Sequence, residues 1–560
     1  MRGLWRNLLH YASKFNGDAN ETDDADFHGF FKPLAIILLN PSALAIKRLS
    51  FLASLLVALA LLVYIAIRAV KVGFTHDESS SFMNLIQEPI RDLFFSERNW
   101  QAANNHILNT LCMQMGHYFF GAEEWALRWG SVVAGFIFLA YALRTLRLWL
   151  PVSAWIFFGT FCIFVLNHFV IDFFSLARGY GLSLAFEMAT LYYFFRWIKQ
   201  YISSEAVTGS HRLTTPEPGN LFKAGCALGA GILSNFVLLD LMAAFFLSVT
   251  IIFYVKNKNS FSFGKWFRLI VLPILPILAT MLLIFQPLRW INAQGEFEYG
   301  PQGFWETWRV LVERFTYHPS LDYSWLKVII LVVATFLFLL LGYVIFKRFK
   351  GTHLSETLQP TESYAGPLLC ATLLTVLTML MTVVQHYLLG ANYLIGRTAV
   401  LLYPLLSSVV ALYLIDLRPS KPRRFLKPTR FISRYNVLWT LVTVALIINF
   451  CSQINLRFAS EWPYDENTKA AALFADQQGS ATNKINYGVG WLYYSTTIFY
   501  QETLGLNNIT VEQNAGHDNL FWVTSRPFDL IYVEKKLQPK LKSTYVLFKM
   551  YPQGVMMKRK

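Results

Sequence analysis

Unbroken apolar stretches of about twenty residues recur along the chain, separated by short polar segments; membrane-spanning helices are the reading that fits such runs. Spans are expected at Phe51 to Val70 and over 126–148, 152–171, 179–198, 221–238, 239–255, 267–286, 326–346, 366–388, 397–416 and 436–452, about eleven in all. Within 221–255, Asn235 and Asp240 mark the only turn, and losing one span there would invert the topology of everything after it. The apolar piece Leu34 to Ile46 is short and broken by Pro41, which predicts an interfacial segment. A polar, acidic leader around Asp18 to Asp26 precedes Phe51 to Val70, and no small-residue cleavage site follows, so this first run reads as an uncleaved signal anchor.

The pattern divides the chain into an N-terminal segment 1–50, a transmembrane region 51–452 with long outer segments near 71–125 and 287–325, and a C-terminal region 453–560. In that last region a helix-like stretch, Asn467 to Gln478, is followed by short runs at Ile509 to Glu512, Leu520 to Thr524, Leu530 to Glu534 and Tyr545 to Met550. These runs are rich in Val, Ile, Phe and Tyr with turn residues between them, which predicts a small α/β domain. The fold class is therefore an all-α polytopic membrane protein carrying a small α/β domain at its C-terminal end.

Composition agrees: of 560 residues 55% are hydrophobic and only 15% charged, where a soluble chain is about a quarter charged. The net charge of +15 would suit nucleic acid, but its position argues otherwise. With a cytoplasmic N-terminus, Arg144/Arg147, Arg196/Lys199/Arg212, Lys256/Lys258/Lys265/Arg268, Lys347/Arg348/Lys350 and Arg418 to Arg434 all fall inside. Arg68 and Lys71, at the outer end of the first span, run against the trend but are outnumbered. The charge is topogenic, nucleic acid is set aside as a partner, and the C-terminal domain is expected outside the cytoplasm. With no C-terminal retrieval signal of the Lys-Asp-Glu-Leu type, a bacterial plasma (inner) membrane is favoured over the endoplasmic reticulum. Of five cysteines only Cys112 and Cys451 lie near the outer side, so no disulfide framework is expected, and there is neither a CxxC motif nor a phosphate-binding glycine loop.

Candidate chemistry gathers at the outer boundary. His76-Asp77-Glu78 directly follows the first span; such groups near lipid either line a polar cavity or are ordinary interfacial loop acids. A carboxylate there suits a general base for a hydroxyl acceptor, or a metal ligand. Asn104-Asn105-His106 lies in the same outer segment, followed by His117. Arg178, in Ala177-Arg178-Gly179-Tyr180, begins a helix at an outer turn, as does Arg397 in Gly396-Arg397-Thr398 ahead of Tyr403-Pro404. A guanidinium at that depth either binds a lipid-linked phosphate through its fork or anchors the helix by snorkelling. Glu187 lies deeper in an apolar helix, and Arg289 and His318 are weaker candidates. Trp491-Leu492-Tyr493-Tyr494 reads as a core strand or as a stacking platform for a glycan.

In this order and topology the residues resemble the GT-C superfamily of polyprenyl-phosphate-sugar-dependent glycosyltransferases, nearest to glycosyltransferase family 39 with its protein O-mannosyltransferases and to the lipid A aminoarabinose transferases. The ordered set is Asp77-Glu78, Asn105-His106, Ala177-Arg178-x-Tyr180, and Arg397 before the Pro404 helix. The resemblance implies a GT-C-like fold with Asp77 as the catalytic base. It implies that Glu78 and His106 orient the acceptor or hold a divalent metal ion, and that Arg178, Tyr180 and Arg397 bind the phosphate of the donor. One departure is Ile107-Leu108-Asn109 after His106, where related proteins often carry Pro.

The expected activity is inverting transfer of a hexosyl or pentosyl group from a polyprenyl-phosphate sugar to a protein, glycolipid or polysaccharide on the outer face. A transporter or flippase of lipid-linked saccharide would also need many spans and cationic phosphate contacts, but inverted repeats would be expected of it and no clear internal repeat is seen. A non-catalytic assembly protein is the third reading, for which Asp77-Glu78 would be dispensable.

Overall fold

The structure, a computed structural model, describes residues 43–100, 104–149, 154–203, 218–257, 261–296, 300–316, 324–349, 364–416, 428–513 and 528–560. The acidic leader, most of the Leu34 to Ile46 piece, His318 and the Leu520 to Thr524 run lie outside the described residues. The first long helix is α1 (Ala43–Lys71). Three short helices follow, α2 (His76–Leu85), α3 (Ile90–Phe95) and α4 (Ile107–Phe120). Next come α5 (Glu124–Trp149), α6 (Ala154–Val165), α7 (His168–Asp172), α8 (Gly179–Ser203), α9 (Gly219–Ser234), α10 (Leu238–Lys256) and α11 (Phe263–Ala293). The helical region closes with α12 (Phe304–Thr316), α13 (Ser324–Phe349), α14 (Ala365–Leu389), α15 (Leu402–Asp416) and α16 (Pro428–Gln453).

Among the described residues, six helical units are long and apolar enough to cross a membrane: α1, α5, α10, α11, α14 and the continuous Gly396–Asp416 unit. The total is seven if the bent pair α6/α7 counts as one. The other expected spans, over 179–198, 221–238, 326–346 and 436–452, coincide with helices α8, α9, α13 and α16. The stretch expected as a single span over 152–171 is instead broken, with a bend of 59°. Asn167 ends the run by accepting the amide of Val170 on its side chain at 3.1 Å, restarting the helix as α7. The division of 221–255 falls where Asn235 lies: its side chain accepts Val237 N at 3.1 Å between α9 and α10.

The C-terminal segment builds a five-stranded sheet from β1 (Ile485–Val489), β2 (Ile509–Gln513), β3 (Leu530–Glu534), β4 (Tyr545–Met550) and β5 (Gly554–Arg559), ordered β2-β1-β3-β5-β4. β1 pairs parallel with β2 and β3, while β5 pairs antiparallel with β3 and β4. Helix α17 (Thr468–Asp476) precedes the sheet, α18 (Trp491–Thr503) connects β1 to β2, and α19 (Gln538–Leu541) lies between β3 and β4. The Trp491 to Tyr494 cluster therefore opens a helix rather than a strand, and Tyr493 packs its ring 4.7 Å from that of Tyr532 inside the domain.

Two contacts fix this domain against the spans. Helix α18 lies on α2, with Phe499 stacked on Phe74 at 4.2 Å and edge-on to Phe82 at 5.1 Å. Tyr500 Oη accepts Phe74 N at 2.7 Å and donates to Glu124 at 2.6 Å. Farther along, Arg68 is fully buried, pairs with Asp172 at 2.8 Å and donates to the carbonyls of Asn455 and Phe458. Asp172 also accepts both Ser460 N and Ser460 Oγ at 2.8 Å. The charge at Arg68 that ran against the loop trend is thus a packing charge clamping the strap that leads into the C-terminal domain.

Candidate functional site

A cavity of about 1090 Å³ opens among α2, the loop before α4, the turn before α8, the α9–α10 turn, α11, α14 and the Gly396–Leu401 turn. Asp77 stands in its wall. Its Oδ2 lies 2.9 Å from Arg397 Nη1 and 3.4 Å from Arg178 Nη2, so two cations that the chain places far apart converge on one carboxylate oxygen. Burial alone would raise the Asp77 carboxyl, but Arg178 and Arg397 outweigh it and hold the group below its ordinary value. Asp77 is therefore ionised at neutral pH.

Each partner is held locally. Arg178 is buried, and Nη1 also reaches Ser81 Oγ at 3.3 Å and the carbonyls of Asp77 and Asn104. Its turn is fixed from behind by Asn109, which donates to Ala177 O at 2.8 Å. Arg397 follows Gly396, whose φ of +50° suits glycine, and lies over the Trp462 ring at 5.2 Å from its centroid. Tyr180 lines the cavity with its ring 5.3 Å from His106. His106 caps α4 and is buried; burial, followed by Arg178 and Arg397, drives its imidazole well below the usual histidine value, leaving a neutral ring. His106 Nε2 has no hydrogen-bond partner among the described residues. His76, also in the wall, is lowered by burial and bonds through Nδ1 to Leu492 O at 3.0 Å. Its backbone N donates to Asp465 at 2.6 Å, so the C-terminal domain sets the first turn of α2 directly.

Glu78, expected beside Asp77 in the chemistry, is not part of the cavity lining. It is fully buried, and its oxygens take Arg128 Nε at 2.8 Å, Arg128 Nη2 at 2.7 Å, Thr75 N at 2.9 Å and Ala177 N at 2.5 Å. With Thr75 Oγ1 accepting Glu78 N, these bonds form a capping box at the start of α2. The same carboxylate thus aims Asp77 and ties down the turn that carries Arg178. The fit to a divalent metal fails on the donor set: Asp77 Oδ2 is shared by two guanidiniums, His106 has the same two cations as neighbours, and the oxygens of Glu78 are spent. Among the described residues no group of three or more His, Cys, Asp or Glu side chains could hold a metal ion.

Asp240, Gln385, Arg289, Asn292 and Glu296 also line the cavity. Of these, Arg289 alone stood out in the sequence as a site candidate. Glu187 does not line it; fully buried in α8, its carboxyl oxygens find no partner among the described residues. An apolar side chain there removes an unsatisfied group, so Glu187→Met is expected to stabilise the protein by about 1–3 kcal/mol and leave turnover intact. A thermal melt in detergent measures this, and a lower midpoint would show that the carboxyl carries a contact of its own.

No family model matches the chain, and no curated protein matches it. Solved structures do show similarity. The apo ArnT of Cupriavidus metallidurans is 11% identical, with 90% of this chain and 97% of that chain covered and a TM-score of 0.46. The same protein bound to undecaprenyl phosphate gives 12%, 90%, 97% and 0.45. The oligosaccharyltransferase of Archaeoglobus fulgidus, tethered with an acceptor peptide containing the NVT sequon, gives 13%, 90%, 74% and 0.40.

Proposed function

We propose that the protein is an integral-membrane, inverting glycosyltransferase of the GT-C type that takes a hexosyl or pentosyl group from a polyprenyl-phosphate donor. The observation that carries this reading is the meeting of Asp77 with Arg178 and Arg397 in one large cavity. A base and a cationic cradle for phosphate in the same place are what such transfer requires; moving a lipid-linked saccharide would need only the cradle. The loop Lys and Arg distribution supports a cytoplasmic N-terminus and an outward-facing cavity in the plasma membrane. The apolar wall formed by Phe285 and Leu288 of α11 with Met381, Val384 and Leu388 of α14 suits an isoprenyl chain whose head reaches polar ground. Acceptors compatible with this placement are a protein, a glycolipid or a polysaccharide.

The mechanism follows from the charges. In the resting site Asp77 spends its basicity on the two guanidiniums. Arrival of the donor phosphate draws Arg178 and Arg397 onto its oxygens, which leaves Asp77 less stabilised as an anion and a stronger base. Asp77 then takes the proton of the acceptor hydroxyl while that oxygen attacks the anomeric carbon. The bond from that carbon to the phosphate oxygen breaks on the opposite face, inverting the centre, and the departing charge stays between the two arginines. Neutral His106 offers an open hydrogen-bonding nitrogen beside this point without adding charge. No step needs a metal.

The test is transfer of radiolabelled sugar by purified protein in lipid, from a panel of synthetic polyprenyl-phosphate sugars, followed against pH. For the free enzyme, kcat/KM should fall only in acid, below about pH 4, as a depressed carboxylate protonates. A limb at higher pH would take the role of base from Asp77 and give it to another titratable group of the cavity. Absence of transfer from every donor, with acceptors from each of the three classes supplied, would remove the glycosyltransferase reading.

A further inference from the structure

The mechanism leaves unused a polar pair on the wall of the same cavity. Asp240 sits in the first turn of α10, is 6% exposed, and lines the cavity together with Gln385 of α14. With its amide nitrogen turned toward Asp240, Gln385 donates to Oδ1 at 2.8 Å and to Oδ2 at 3.2 Å. Among the described residues no Lys or Arg pairs with this carboxylate. A carboxylate held inside an apolar helical bundle against an amide alone is an expensive way to join two helices, and a default candidate for function.

Its location is tied to the phosphate end. The carbonyl of Ser234, the last residue of α9, lies so near Gly179 that a Cβ there would sit 1.9 Å from it and 2.7 Å from the His106 ring. That close approach pins the α9–α10 turn beside Arg178, and Asp240 follows Val237, the last residue of the turn, by three positions. Asp240 and Gln385 line the same cavity as Arg178 and Arg397, so a sugar carried on a phosphate held by the two arginines enters the space that this pair faces.

The chemistry of the pair is one-sided. Each carboxylate oxygen has a second lone pair beyond the one given to Gln385, and the amide oxygen of Gln385 is another acceptor. Such a surface complements adjacent hydroxyl groups, which donate to it. We propose that Asp240 and Gln385 read the hydroxyls of the sugar being transferred and so set donor selectivity. The assignment rests on the donor-phosphate reading above.

Binding rather than turnover separates the two. Full-length protein in nanodiscs is titrated with undecaprenyl phosphate and with its mannosyl, glucosyl, galactosyl and arabinosyl derivatives. Wild type should bind at least one sugar-bearing lipid more tightly than the bare phosphate. Asp240→Asn should lose about 10- to 100-fold for that lipid, since a site built for hydroxyls loses heavily when its polar groups are mismatched. Gln385→Met should follow in the same direction, and both should keep wild-type affinity for bare undecaprenyl phosphate, which also reports that they are folded. Equal losses for both lipids, or no loss for either, would overturn the assignment while leaving the phosphate site standing. Failure of wild type to bind bare undecaprenyl phosphate would sink the phosphate site and this assignment with it.

Discussion

Asp77→Asn should abolish most sugar transfer, lowering kcat by about 10²- to 10⁴-fold, with the protein still folded and still able to bind lipid phosphate. The amide is nearly the same size and keeps an oxygen toward Arg178 and Arg397, but it cannot take a proton from a hydroxyl. Arg397 loses a counter-charge in a cavity that water reaches, its side chain being 23% exposed, while buried Arg178 keeps its bonds to Ser81 Oγ and to the carbonyls of Asp77 and Asn104. The structural cost should be small and the catalytic cost large. Turnover is compared at saturating donor, with the melting midpoint as the control for folding. Transfer retained within a few-fold would move the base to another residue of the cavity, of which Asp240 would be the first to test.

Glu78→Gln, one residue along, should do the opposite and destabilise the protein by about 3–5 kcal/mol, because it leaves Arg128 buried without its anion. The loss should appear as a lowered melting midpoint and reduced recovery of folded protein. Any activity deficit should scale with the folded fraction at low temperature. Replacing both partners by methionine removes the uncompensated charge but should recover only part of the stability, since Thr75 N and Ala177 N then lose their acceptor. A Glu78→Gln protein that melts like wild type yet fails to turn over would restore the chemical role that its position beside Asp77 first suggested.

That contrast shows what the sequence conceals. Asp77 and Glu78 read as one acidic pair, but successive residues of a helix point about 100° apart, and the α2 helix sends one into the cavity and the other into the packing. A signal for the difference was present in Thr75-x-x-Glu78, the spacing of a capping box. Nothing local announces the partner Arg128, because the pairing depends on how α5 meets α2.

Arg178 and Arg397 are each legible as helix-starting cations at a membrane boundary, yet their convergence on Asp77 belongs to the tertiary fold. Asp240 was visible only as a turn marker, since Gln385 comes from a distant helix. Apolar runs located most of the long helices well because length and hydropathy decide them. They missed the 59° break at Asn167, where a single side chain competes for the backbone inside an otherwise continuous apolar stretch. The same limit applies to Trp491 to Tyr494: aromatic residues suit a strand, but Gly490 and the turn after β1 place them on α18.

In this mechanism Arg178 and Arg397 hold a lipid phosphate beside Asp77. A cryo-electron-microscopy structure of the protein in nanodiscs with added undecaprenyl phosphate tests it directly. Phosphate density is expected within hydrogen-bond distance of both guanidiniums, with the isoprenyl chain leaving along Phe285, Leu288 and Met381. Phosphate bound elsewhere on the protein, with Asp77 still paired to both arginines and the cavity holding no lipid, would contradict it.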